Sequence, residues 1–81
     1  MKPNRRLFIG SLRDTVYKDT IKAAFIGFGP ITDIKRKPSF AFVQFETIEQ
    51  ATEAAKKMHR TNVFGYGPVN VEFARETSRI K

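Results

Sequence analysis

Three phenylalanines offer the clearest chemistry in this sequence. Phe40 and Phe42 stand two residues apart in the run Phe40-Ala41-Phe42-Val43-Gln44-Phe45, and Phe8 lies in a second β-favouring run, Arg6-Leu7-Phe8-Ile9-Gly10. A phenyl ring presents two flat π faces, so it can stack on another planar group while a nearby cation neutralises an anion beside it. Arg6, Lys35 and Lys37 supply such cations close by in sequence. Nothing comparable points to bond-making chemistry. The single histidine, His59, has no Cys, Ser or carboxylate constellation beside it, and there is no cysteine for a thiolate metal site or a disulfide. No glycine-rich phosphate cradle with an arginine is visible either, which disfavours a small phosphatase. The expectation is a chain that is not an enzyme and needs no metal or cofactor.

Composition narrows the partner. A length of 81 residues allows one domain with a modest core, and 41% hydrophobic with 12% aromatic residues argues against disorder despite a net charge of +7. Fifteen Lys and Arg against eight Asp and Glu, with an isoelectric point near 10.2, point to a polyanion. RNA, DNA and anionic lipid all satisfy that. No apolar run approaches the roughly 18 residues of a membrane span, and Met1-Lys2-Pro3-Asn4-Arg5-Arg6 lacks the apolar stretch of a signal peptide. We therefore expect a soluble intracellular protein with no membrane partner, and we read the basic ends as those of a piece of a longer protein.

The elements that must position the phenylalanines follow from periodicity. Arg6 to Gly10 reads as a first strand. Ile21, Ala24, Phe25 and Phe28 recur at helical spacing, and Gly29-Pro30 ends that helix, which covers roughly Lys18 to Phe28. Ile31 to Lys35 is a second strand and Phe40 to Phe45 a third, joined by the short basic connection Lys35-Arg36-Lys37-Pro38-Ser39. Thr47 with Gln50 fits a capping box, and Ala51, Ala54, Ala55 and Met58 form the apolar stripe of a second helix. His59 to Pro68 reads as a loop or small hairpin. Val69 to Phe73 alternates strictly and makes a fourth strand. The order βαββαβ predicts an α+β, ferredoxin-like sandwich, a four-stranded antiparallel sheet with two helices on one face.

Two helices, each about 10 Å across, cover only one side of four strands spaced at about 4.8 Å. Parity identifies the open side. Val69, Val71 and Phe73 share one face, which sends Asn70, Glu72 and Ala74 to the other; Ala41, Val43 and Phe45 form an all-apolar set, which leaves Phe40, Phe42 and Gln44 outside. Leu7 and Ile9 belong to the core, so Arg6, Phe8 and Gly10 face out, together with Asp33 and Lys35 of the second strand. A cluster of exposed aromatic rings on a basic protein is costly unless it binds something.

With these residues in hand, the chain resembles the RNA recognition motif family from about Arg5 to Glu76. Leu7-Phe8-Ile9-Gly10-Ser11-Leu12 is similar to its first ribonucleoprotein hexamer, and Phe40 to Phe45 to the last six positions of its octamer, K/R-G-F/Y-G/A-F-V-x-F/Y. Phe25, Phe28-Gly29 and the Ala51 to Ala55 stripe also stand in their usual places. The resemblance implies a domain over residues 5–76 with flexible flanks at 1–4 and 77–81, monomeric, binding single-stranded RNA on the open sheet. It implies that Phe8 and Phe42 each stack a base and that Phe40 inserts between sugars. Edge contacts would come from Asn70, Glu72 and the backbone after the fourth strand, with Arg75 near the sheet's exit, and phosphate contacts from Arg6, Lys35 and Lys37; Gln44 completes the expected RNA-binding set.

Three departures from the family pattern stand out. Pro38 and Ser39 replace the octamer's basic residue and glycine, so Lys37 or Lys35 must take over any phosphate contact there. Ser11 replaces a common asparagine, a change expected to affect a loop more than the ligand. The short connection between the second and third strands resembles SR splicing factors and hnRNP C type proteins and favours linear RNA. By resemblance we expect a nuclear protein of pre-mRNA processing or mRNA metabolism, able to shuttle and to meet other RNA-processing proteins. The alternative is a peptide-binding module that uses its helical face. Such modules lack the sheet aromatics and carry an acidic first helix and an Arg-x-Phe motif, whereas this chain has Lys18, Lys22 and Val63-Phe64-Gly65-Tyr66. Lys18, Lys22, Lys56 and Lys57 are read as solvated helix surface, and His59 as a surface residue.

Overall fold

Alternation of apolar and polar side chains sets the strands, and the structure, a computed structural model, describes residues 4–74. Strand β1 spans Arg6–Gly10, β2 Ile31–Arg36, β3 Ala41–Phe45 and β4 Asn70–Phe73; helix α1 spans Lys18–Phe25 and α2 Ile48–Met58. The sheet order is β2-β3-β1-β4 with every neighbouring pair antiparallel. That is the predicted sandwich, with the two phenylalanine-bearing strands at its centre. Among the described residues no helix is long and apolar enough to cross a membrane.

The core lies between the sheet and the helices. Leu7, Ile9, Val43, Phe45, Val69 and Val71 meet Ile21 and Phe25 of α1 and Ala51, Ala54 and Ala55 of α2, all buried. The alanine stripe keeps side chains short where α2 lies on the sheet. Phe25 and Phe45 are fully buried, and truncating either ring to alanine would cost about 3–5 kcal/mol. Helix α2 begins with the predicted capping box: Gln50 N donates to Thr47 Oγ1 at 3.2 Å and Thr47 N donates to Gln50 Oε1 at 3.1 Å.

The first helix stops sooner than its periodicity suggests. Beyond Phe25 the chain tightens into a 3-10 turn over Ile26–Phe28, because β-branched Ile26 and Gly27 are poor helix formers and Gly29 takes φ of 148°. A Cβ at Gly29 would stand 2.4 Å from Cδ of Gln50, so any larger residue there must displace the side chain that closes the capping box. One residue thus couples the end of the first helical segment to the start of the second. Strand β2 runs one residue further than expected, to Arg36, with its register shifting between Ile31 and Asp33. The loop before β4 contains a single bridge from Thr61 to Val69, a small hairpin.

Ala74 corrects one expectation. Parity sends it to the open face, yet it is only 4% exposed. Its N–H donates to Arg6 O at 2.9 Å and its carbonyl accepts from Asn4 Nδ2 at 2.7 Å, so the segment before β1 crosses close to it.

Candidate nucleic-acid interface

Register places the site residues in rows across the uncovered side of the sheet. In the central row Lys35 pairs with Phe42, Phe42 with Phe8, and Phe8 with Glu72. A second row runs Asp33, Gln44, Arg6, and a third, two residues along β1 on the other side of Phe8, pairs Gly10 with Asn70. Phe40 sits just before β3. The three rings form one cluster: Phe8 lies 5.4 Å from Phe40 and 5.8 Å from Phe42, and Phe40 meets Phe42 edge-on at 5.5 Å. All three are half-buried, as are Gln44 and Asn70, while Lys35, Lys37 and Glu72 are exposed. The mutual packing keeps some ring surface from water, but no helix covers it.

Gly10 makes room for this cluster. A Cβ at that position would lie 3.0 Å from Cε2 of Phe8, so the ring leans over backbone that carries no side chain. Arg6 adds a feature that its sequence position does not reveal. Its guanidinium carbon stands 4.5 Å from the centroid of Phe42, a cation-π contact that puts a planar cation against the ring. The exposed part of the Phe42 ring therefore has a planar cation beside it. Among the described residues the face carries Arg6, Lys35 and Lys37 against Asp33 and Glu72, so its charge is nearly balanced around the three rings. Arg75 lies outside the described residues.

The loops at one end of the sheet hold residues that the sequence reading missed. Tyr66 Oη donates to Ser11 O at 3.1 Å and accepts from Arg13 N at 3.2 Å, with the Arg13 guanidinium 4.9 Å from the Tyr66 ring. Ser11 has φ of 62°, the left-handed conformation that asparagine tolerates better than most residues, so the substitution at this position acts on the loop. Arg36 donates to four backbone carbonyls, those of Arg13, Val16, Lys37 and Phe40. No local pattern flags the Tyr66 contacts or the Arg36 bonds to Arg13 and Val16, because they join segments 20 to 55 residues apart. His59 is exposed, and its Nδ1 accepts from Val71 N at 3.1 Å at the sheet edge. Lys18, Lys22, Lys56 and Lys57 are exposed on the helices, as expected.

Comparison with known proteins agrees with this geometry. Residues 7–68 match the family model for the RNA recognition motif. The serine/arginine (SR)-type shuttling mRNA binding protein NPL3 of Saccharomyces cerevisiae is 32% identical over 89% of this chain and 17% of its own length. RNA-binding protein 1 of Drosophila melanogaster is 30% identical over 91% of the chain and 53% of its length, and serine/arginine-rich splicing factor 5 of Homo sapiens is 34% identical over 91% and 27%. The chain thus spans only part of each of these curated relatives. Among solved structures, the RRM domain of S. pombe Puf1 superposes with a TM-score of 0.82 at 29% identity, covering 89% of this chain and 99% of that one. The Nab3-RRM, described for cis element recognition of non-polyadenylated RNAs, gives 0.83 at 28% identity, covering 90% and 97%.

Proposed function

Given that the chain belongs to the RNA recognition motif family, we propose that its open sheet binds single-stranded RNA. The observation that carries this is the cluster of Phe8, Phe40 and Phe42 in the middle of a face that neither helix covers. Bases have π faces whatever their identity, so stacking on Phe8 and Phe42 gives affinity with little sequence choice. Phe40 packs against the sugars between them. Asn70, Glu72, Gln44 and Arg75 select among bases by contacts to their edges. Arg6, Lys35 and Lys37 neutralise phosphates, and Lys37 serves in place of the residue that Pro38 displaces.

The binding unit covers residues 5–76 and acts as a monomer without enzymatic activity. The SR-type and splicing-factor relatives support a nuclear role in pre-mRNA processing or mRNA metabolism, alongside other RNA-processing proteins and with shuttling to the cytoplasm. Amide chemical-shift mapping with an unstructured RNA heptamer tests the assignment. Perturbations should concentrate on Phe8, Phe42, Lys35 and Glu72. Shifts confined to α1 and α2 would overturn it in favour of a helical-face partner.

A further inference from the structure

Arg36 ends β2 on the side of the sheet opposite the proposed RNA face. It pairs with Ala41, a core residue, whereas its neighbour Lys35 pairs with Phe42. There its guanidinium is occupied by backbone. Nε donates to Val16 O at 2.7 Å, Nη2 to Arg13 O at 2.7 Å and Nη1 to Phe40 O at 3.2 Å, and Nη1 also donates to Lys37 O. Two of these carbonyls belong to the loop after β1 and two to the turn between β2 and β3. The same turn is closed by Lys37 N donating to Phe40 O at 2.8 Å and is joined to the other loop by Leu12 N donating to Ser39 O at 3.0 Å.

A charged fork spent in this way has little left for a phosphate. The planar guanidinium satisfies several acceptors in one fixed geometry, which a lysine cannot do. Among the described residues Arg36 has no carboxylate within salt-bridge distance, so the carbonyl dipoles are what balance its charge. One of its four bonds reaches the carbonyl of Phe40, which also accepts from Lys37 N, and the Phe40 ring stands 5.4 Å from Phe8 in the aromatic cluster.

We propose that Arg36 is a positioning residue for RNA binding: it clamps the turn between β2 and β3 onto the loop after β1 and so fixes Phe40 before RNA arrives. It is not a phosphate ligand, although it is basic and lies beside Lys35 and Lys37. This rests on the assignment of the open face to RNA. A preset Phe40 spares the ligand the entropic cost of ordering the turn.

The test is fluorescence anisotropy of the whole chain with an unstructured mixed-sequence RNA octamer over a salt series, with thermal unfolding measured in parallel. R36M keeps length but loses charge and donors, and R36K keeps charge but loses the fork. Both should weaken binding by about three- to tenfold, the net contribution of roughly one hydrogen bond, without changing the salt slope. In an F40A background R36K should have no further effect, whereas in an F42A background it should keep it, a coupling of at least about twofold. The inference is overturned if R36K binds like the unmodified chain while R36M loses about 0.7 of slope, the signature of a phosphate ligand. Equal effects of R36K in the F40A and F42A backgrounds would also sink it, since a general structural role acts on both alike. If R36M fails to fold, R36K alone decides. Unchanged binding by F8A and F42A would defeat the RNA-face assignment itself, whereas their loss of binding together with either adverse Arg36 outcome defeats the clamp alone.

Discussion

Replacing Phe8 or Phe42 by alanine separates binding from stability. Both rings are half-buried and packed mainly on each other and on Phe40, at 5.8 Å between Phe8 and Phe42, whereas Phe45 on the opposite side of β3 is fully buried. Loss of one stacking platform removes about 1–3 kcal/mol per base, which is roughly a five- to 150-fold rise in Kd. F45A provides the contrast, because deleting a fully buried ring costs about 3–5 kcal/mol of folding free energy. Phe42 carries a small additional term, since its loss also strips Arg6 of a cation-π contact of about 0.5–1 kcal/mol. Anisotropy of a labelled single-stranded octamer at fixed salt reads the first effect, and thermal unfolding reads the second. The expected pattern is a large loss of affinity with a modest change in Tm for F8A and F42A, and a large fall in Tm for F45A. If F8A and F42A melt as early as F45A, the rings belong to the core and the parity argument fails. If they melt normally and bind RNA as well as the unmodified chain, the stacking argument fails.

The other predictions concern charge and backbone. With Arg6, Lys35 and Lys37 as the phosphate contacts among the described residues, log Kd should rise against log salt with a slope of about 2, and R6Q should lower that slope by about 0.7; an unchanged slope would take Arg6 out of the phosphate set. S11G relieves a left-handed serine at φ of 62° and should stabilise the fold by about 1 kcal/mol, raising Tm by roughly 4–8 °C with RNA affinity unchanged. G29A places a Cβ against Gln50 and imposes a side chain on φ of 148°, so it should destabilise by more than about 1 kcal/mol and lower Tm. A neutral G29A would show that the capping-box side chain moves aside freely.

The outline of this molecule was legible in its sequence because hydrophobic periodicity is a local code. Val69-Asn70-Val71-Glu72-Phe73 announces its faces by alternation, Ala51 to Met58 its buried stripe by helical spacing, and Thr47 with Gln50 its helix start, all confirmed by register, burial and hydrogen bonds. The two-helix count then forced Phe8, Phe40 and Phe42 onto an open face without reference to any ligand. Tertiary structure decided what depends on segments meeting at a distance. Burial of Ala74 beside Asn4, Arg6 lying on Phe42, Tyr66 bonding Ser11 and Arg36 gathering carbonyls from two loops involve partners up to dozens of residues apart, so no window of sequence contains both halves. An alternating pattern states which side a residue faces. Only the closed fold determines which loop carbonyl lies within reach of which guanidinium, because that geometry is set by the packing of the whole sheet and not by the residues on either side.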